Sequence, residues 1–281
     1  MASDASSLAE SLRADMLARR PLTGVRVVDA HAHLGPYSRF FIPEPDARAM
    51  VRVMDRCGVQ VACVASHLAI ELDASRGNEA TLTAVASHPR RLLGLLTLNP
   101  HQDPVGEAAR WGDDSRFVGI KLHPDLHGYP VNRARYGPAW ELASQRRLPV
   151  LVHTAAGSDF SDPALTGEVA ERHPGVTVIL GHAGTTPTGF EASIELARRH
   201  PNVYLEICGS FMTGEWLRRL VDGAGADRVM YGSDMPFIDM RFSLGRVLFA
   251  GLDDDALRLV LAGTHEQLLG PSAPAATPAN A

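Results

Sequence analysis

Eight short apolar runs, rich in β-branched residues, recur between Val25 and Gly232 and constrain the fold of this chain more than any other feature. They read VRVVDAHAH, VQVACVAS, LLGLLTL, FVGIKLH, PVLVH, VTVILGH, VYLEICG and RVMYG. Each meets a polar or Gly/Pro-rich turn, and most then lead into a segment with helical spacing such as DARAMVRVMDRCG or PAWELASQRRL. The runs end about 25 to 33 positions apart, the length needed for a strand, a loop, a crossover helix and a return. Eight such units predict an α/β chain closed into a single-domain (β/α)8 TIM barrel over residues 25–270, rather than an open doubly wound sheet. Residues 1–24 read as an N-terminal helical extension, since residues 3 to 20 mix small, apolar and charged types as an amphipathic helix does. Residues 271–281 have nothing to bury and read as a flexible tail.

The chain has 281 residues, of which 45% are hydrophobic and 21% charged, enough to build a sizeable core and too apolar for global disorder. A net charge of -5, with no basic cluster, argues against nucleic acid and anionic membrane surfaces as partners. A small-molecule substrate is the expected partner, with homo-oligomer formation left open. Cys57, Cys63 and Cys208 form no C-x-x-C pair, which argues against both a disulfide framework and a thiolate zinc site. No run reaches the roughly 18 apolar residues of a membrane span, so a cytoplasmic protein is expected.

Eight of the twelve histidines fall into two groups. In SHPRRLLGLL, RHPGVTVIL and RHPNVYLEI a helix ends at His-Pro before a strand begins, so His88, His173 and His200 read as structural helix ends far from the catalytic loops. His31, His33, His123, His153 and His182, with Asp234, fall instead at the C-terminal ends of predicted strands. Those ends converge on the mouth where a barrel builds its active site. Side chains two apart on a strand point the same way, so His31 and His33 can chelate one ion. Imidazole with carboxylate and no thiolate suits one divalent metal, Zn²⁺ first, with Mn²⁺ or Fe²⁺ as alternatives. Lys121, the only lysine in the chain, lies inside an apolar run on the same strand as His123.

The order D-x-H-x-H, H, G-H-x-G and G-S-D-x-P resembles the amidohydrolase superfamily. More narrowly, it is similar to amidohydrolase family 2, which includes the aminocarboxymuconate-semialdehyde decarboxylase-like enzymes. The resemblance implies that His31, His33, His153 and Asp234 ligate the metal, while His182 stands beside it to polarise or protonate substrate. In binuclear amidohydrolases a carbamylated lysine on strand 4 bridges two metals. Family 2 members often place arginine or lysine at that position, and arginine cannot bridge. One metal is therefore expected, with Lys121 and His123 binding a substrate oxygen; the alternative for Lys121 is pairing with Asp29 or Glu206. Asp29 is open between structural and catalytic roles, and Glu206 between the mouth and a neighbouring loop. Cys63 and Cys208 read as small core residues, and Tyr37, Arg39 and Phe40 as solvated loop residues, with covering of the substrate as the alternative.

The expected reaction is hydrolysis of a small amide, lactone or ester, with Asp234 accepting a proton from the attacking water and His182 stabilising the oxyanion. The alternatives are non-oxidative decarboxylation of an aromatic or unsaturated carboxylic acid at the same site, and a catalytically silent metal-binding barrel. Hydrolysis is preferred because the chain is short for long lids and no arginine lies at a predicted strand end to clamp a carboxylate.

Overall fold

The computed structural model describes residues 7–269. Within them every predicted run forms a strand: β1 Val28–Leu34, β2 Val61–Ser66, β3 Leu92–Thr97, β4 Phe117–Leu122, β5 Val150–His153, β6 Val178–Gly181, β7 Val203–Glu206 and β8 Val229–Met230. All pairings are parallel, in the order β1 through β8. A backbone bridge between Ala32 and Met235 links β1 to the segment after β8, helped by Ala30 N–H to Tyr231 O at 3.0 Å and His33 N–H to Met235 O at 2.7 Å. The eight strands thus form a nearly closed (β/α)8 barrel.

The strand pattern follows from burial on both sides. Helices cover the outside and side chains fill the inside, so β1 to β4 and β6 are buried throughout, as continuous apolar runs require. The outer layer packs Met54, Leu82, Trp140 and Leu217 into the main core. A smaller cluster, including Val28, Cys63, Leu95 and Ile179, packs separately. Cys63 therefore sits in the core, as expected.

Helices end at Ser87, Arg172 and Arg199, each followed by its histidine as the C-terminal cap, so His88, His173 and His200 occupy helix-to-strand joins. The N-terminal helix runs Leu8–Leu17. Ser7 and Glu10 form a reciprocal capping box, and the Leu8 and Ala9 amides donate to Asp254 at 2.8 and 3.0 Å. These bonds and buried Leu12 fasten the extension to the barrel. The predicted tail, and the start of the predicted N-terminal helix before residue 7, lie outside the described residues. No helix among the described residues is long and apolar enough to cross a membrane.

Candidate active site at the barrel mouth

The strand ends deliver the predicted side chains to one cavity of about 400 Å³, lined among others by His31, His33, Lys121, His123, His153, His182 and Asp234. On β1 the alternation works as expected: His31 Nε2 and His33 Nε2 stand 3.2 Å apart. Asp234 Oδ1 lies 3.4 Å from His33 Nε2 and 3.7 Å from His31 Nε2. Lys121 Nζ, fully buried on β4, lies 2.6 Å from His31 Nε2. The lysine's close partner is thus an imidazole, rather than Asp29 or Glu206.

Glu206, at the end of β7, sets the orientation of His31. Its Oε2 lies 2.7 Å from His31 Nδ1, so the carboxylate accepts the Nδ1–H hydrogen bond and the Nε2 lone pair faces the cavity. The same carboxylate accepts from the His182 amide at 3.2 Å and from the Cys208 thiol at 3.0 Å. Gly232 permits this packing, because a Cβ there would lie 2.1 Å from Glu206 Oε1 and 2.9 Å from His31 Cβ. Asp29 holds the loop after β8: it accepts the amides of His31 at 3.0 Å and Ser233 at 2.9 Å, and the Ser233 hydroxyl. That resolves its role toward positioning. His182 and Asp234 both adopt left-handed backbone, with φ of 64° and 62°, a strained conformation for residues bearing a Cβ.

Burial dominates the electrostatics. It holds His31 and His33 well below the usual histidine range and pushes His153 and His182 down to about 3, so all four are neutral donors at neutral pH. It raises the Asp234 carboxyl, against the pull of His182 and Lys121, and lifts Asp29 to about 7. Burial also lowers the Lys121 ammonium, opposed by Asp234.

The donor set fits a divalent metal. Ligand atoms about 2.1 Å from one ion stand roughly 3.0–3.4 Å apart at ordinary coordination angles. The 3.2 Å and 3.4 Å separations match that spacing. Among the described residues, donor atoms within 4.8 Å of one another form two groups, a buried one of His31, His182, Cys208 and Asp234, and a half-buried one of His123, Asp125 and His153. His153, expected beside His31 and His33, has its nearer ring neighbours in His123, stacked at 4.0 Å, and His182 at 4.7 Å.

Several residues escaped the sequence reading. Cys208 is buried, as expected of a core residue, yet its Sγ lies 3.1 Å from His182 Nδ1 and 3.2 Å from His31 Nδ1. Its place two positions after Glu206 was the available signal. His67 follows the last residue of β2, the same strand-end position that marked the other histidines. It stacks on His33 at 4.9 Å and on Phe237 at 4.6 Å. Asp125 lies two past His123. Tyr37, half-buried, and Arg39, exposed as expected of a loop residue, both line the cavity. Tyr37, Phe40 and Phe237 form an aromatic cluster, with Tyr37 and Phe237 ring centres 4.7 Å apart.

The amidohydrolase family profile matches residues 28–270 of the sequence. Among solved structures, the chain is similar to an uncharacterised TIM-barrel protein from Bordetella bronchiseptica, with TM-score 0.71, 17% identity, and 87% of this chain and 98% of that one covered. It is also similar to 5-carboxyvanillate decarboxylase from Sphingomonas paucimobilis, with TM-score 0.68, 15% identity, and 88% and 99% covered. A third is a dihydroxybenzoic acid decarboxylase from Polaromonas sp. JS666 with bound manganese and the inhibitor 2-nitroresorcinol. Its TM-score is 0.66 at 17% identity, with 87% and 97% covered.

Proposed function

This chain belongs to the amidohydrolase family, and we propose that it is a metal-dependent, non-oxidative decarboxylase of a small aromatic carboxylic acid. The observation that carries this reading is the joint lining of one cavity by Arg39, Lys121 and the Tyr37 and Phe237 rings beside the donor cluster. An arginine fork pairs with a carboxylate, and aromatic walls match a planar ring. Arg39 supplies the clamp whose absence from the strand ends favoured hydrolysis. The length argument for hydrolysis loses force as well, because the match spans 99% of the 5-carboxyvanillate decarboxylase chain. Similarity to two enzymes named as decarboxylases of aromatic acids supports the same choice.

His31, His33, Asp234 and His153 are the residues we assign to hold the metal, with His182 and Cys208 beside them. A divalent ion there supplies Lewis acidity toward substrate oxygens, and the manganese in the Polaromonas enzyme makes Mn²⁺ as suitable a candidate as Zn²⁺. Arg39 orients the carboxylate while Lys121 and His123 bind other substrate oxygens. The His123 ring fits that role, because its Nδ1 accepts the Leu126 amide at 3.3 Å and its Nε2 carries the proton to donate. Asp234, at the edge of the donor cluster and facing the cavity, delivers a proton to the ring carbon bearing the carboxylate. The bond to the carboxyl carbon then breaks, its electron pair returns to the ring, carbon dioxide leaves, and solvent restores the proton.

The test is turnover by Mn²⁺- and Zn²⁺-loaded protein on hydroxylated benzoates in deuterated water. Carbon dioxide release with one deuteron entering the vacated ring position is the expected result. Inertness toward those acids, with hydrolysis of a lactone, ester or amide and entry of solvent oxygen into the product, would overturn it and restore the hydrolytic reading. Inertness toward both classes would favour the silent barrel.

A further inference from the structure

Away from the mouth, a cavity of about 470 Å³ is lined by the end of the N-terminal helix, the helix Ala47–Cys57 and the helix Met240–Leu248. Four arginines line it: Arg19, Arg20, Arg56 and Arg241. Met16, Leu22 and Leu244 give it an apolar lining. Two of the guanidiniums are neutralised. Arg20 is fixed on Asp15 by bonds of 3.0 and 2.9 Å, and Arg241 is fixed on Asp239. Arg19 and Arg56 have no carboxylate partner within ion-pair distance among the described residues. Arg19 also adopts left-handed backbone, φ 57°, a strained turn that places it among the lining residues.

All four guanidiniums are exposed at the rim of this concave surface, and only two are offset by carboxylates. We propose that this cavity binds a small organic dianion, a phosphate-type group attached to a compact apolar body. The two unpaired guanidiniums match its charge, arginine forks match the geometry of its oxygens, and the three apolar side chains cover its body. None of these residues belongs to the barrel mouth, so the inference stands apart from the proposed reaction.

Phenyl phosphate titrated calorimetrically into the full-length, metal-loaded protein at low salt tests it. Because that ligand could also enter the mouth, the titration is repeated with Arg39→Ala and with an Arg19→Ala/Arg56→Ala double variant. The expected result is saturable binding that survives Arg39→Ala and weakens about tenfold or more in the double variant, with melting unchanged. An Arg56→Lys variant keeps more of the affinity than Arg56→Ala. Benzenesulfonate, with one charge on a similar body, and inorganic phosphate, with no body, both bind more weakly. Binding that is absent, that is indifferent to the double variant, or that disappears with Arg39→Ala would overturn the proposal.

Discussion

The two sides of the barrel mouth hold the same residue types and handle them differently. On the side of β1, β7 and the loop after β8, His31, His33, Glu206, Cys208 and Asp234 are buried, and His31, Glu206 and Cys208 are fixed by one another. Glu206 alone receives His31, Cys208 and the His182 amide. On the side of β4 and β5, His123, Asp125 and His153 are half-buried, and their partners come from loops. Asp125 accepts the hydroxyls of Ser158 and Ser161, and His123 accepts the Leu126 amide. The first arrangement suits an ion, because it fixes lone pairs before anything binds. The second, apart from His153 where it turns toward the proposed ion, suits a substrate, because it presents donors at an accessible surface that loops can adjust.

The largest effect should come from breaking the first side. His31→Ala removes the proposed ligand that Glu206 orients and leaves that carboxylate buried without its main partner. We expect near-complete loss of bound metal, read by elemental analysis, and a fall in turnover of about a thousandfold or more. His123→Ala should keep its metal and lose mainly substrate affinity. Equal metal loss from the two variants would dissolve the distinction.

Legibility in the sequence followed the same division. Strand-end placement and the period of two were enough for the eight strands, for His31 and His33, and for the convergence of His123, His153, His182 and Asp234, because those depend on the barrel itself. Arg39 and Tyr37 reach the cavity from an irregular loop whose path no periodicity encodes. Cys208 was misjudged for another reason. Burial was read correctly, but a buried thiol among apolar residues and one among imidazoles look alike until the facing strands are placed. His67 is a different miss, since the strand-end rule applied to VASH finds it.

Acid should separate the two sides next. His127 ends the short helix Pro124–His127 on the β4 side and is held by Tyr136 Oη at 2.6 Å and Ile70 O at 3.1 Å. Burial lowers its pKa to about 4 from an ordinary value of 6.5. The folded pKa lies below the unfolded one, so this contribution is present in full above pH 6.5 and is lost as pH falls toward 4. The unfolded chain takes up the proton first. The shift is worth at most on the order of 3 kcal/mol. Hydrogen exchange of the metal-loaded protein should therefore show residues 124–128 opening as pH drops through that window, before β1, whose imidazoles the proposed ion would hold. A His127→Gln variant should flatten the response, and simultaneous opening of β1 and this segment would count against the comparison.

The smallest effect tests whether Asp125 organises a loop or waits for an ion. Ser161 and Ser158 both donate to it, one hydroxyl to each carboxylate oxygen. An aspartate kept for a metal would have a lone pair to gain from losing such a donor, whereas one that ties the loop after β5 to the loop after β4 would lose a strut. Ser161→Ala removes a single partly buried hydrogen bond to a charged group, so the cost in stability should be about 1–2 kcal/mol. Because His153 Nε2 lies 3.6 Å from the same Asp125 oxygen that Ser161 reaches, the freed carboxylate can turn toward the imidazole. The expected outcome is a melting temperature a few degrees lower, KM raised a few fold, kcat little changed and metal content unaltered. A second equivalent of metal gained by this variant would make the β4–β5 side a metal site in its own right, held back in the parent protein by the Ser161 hydroxyl.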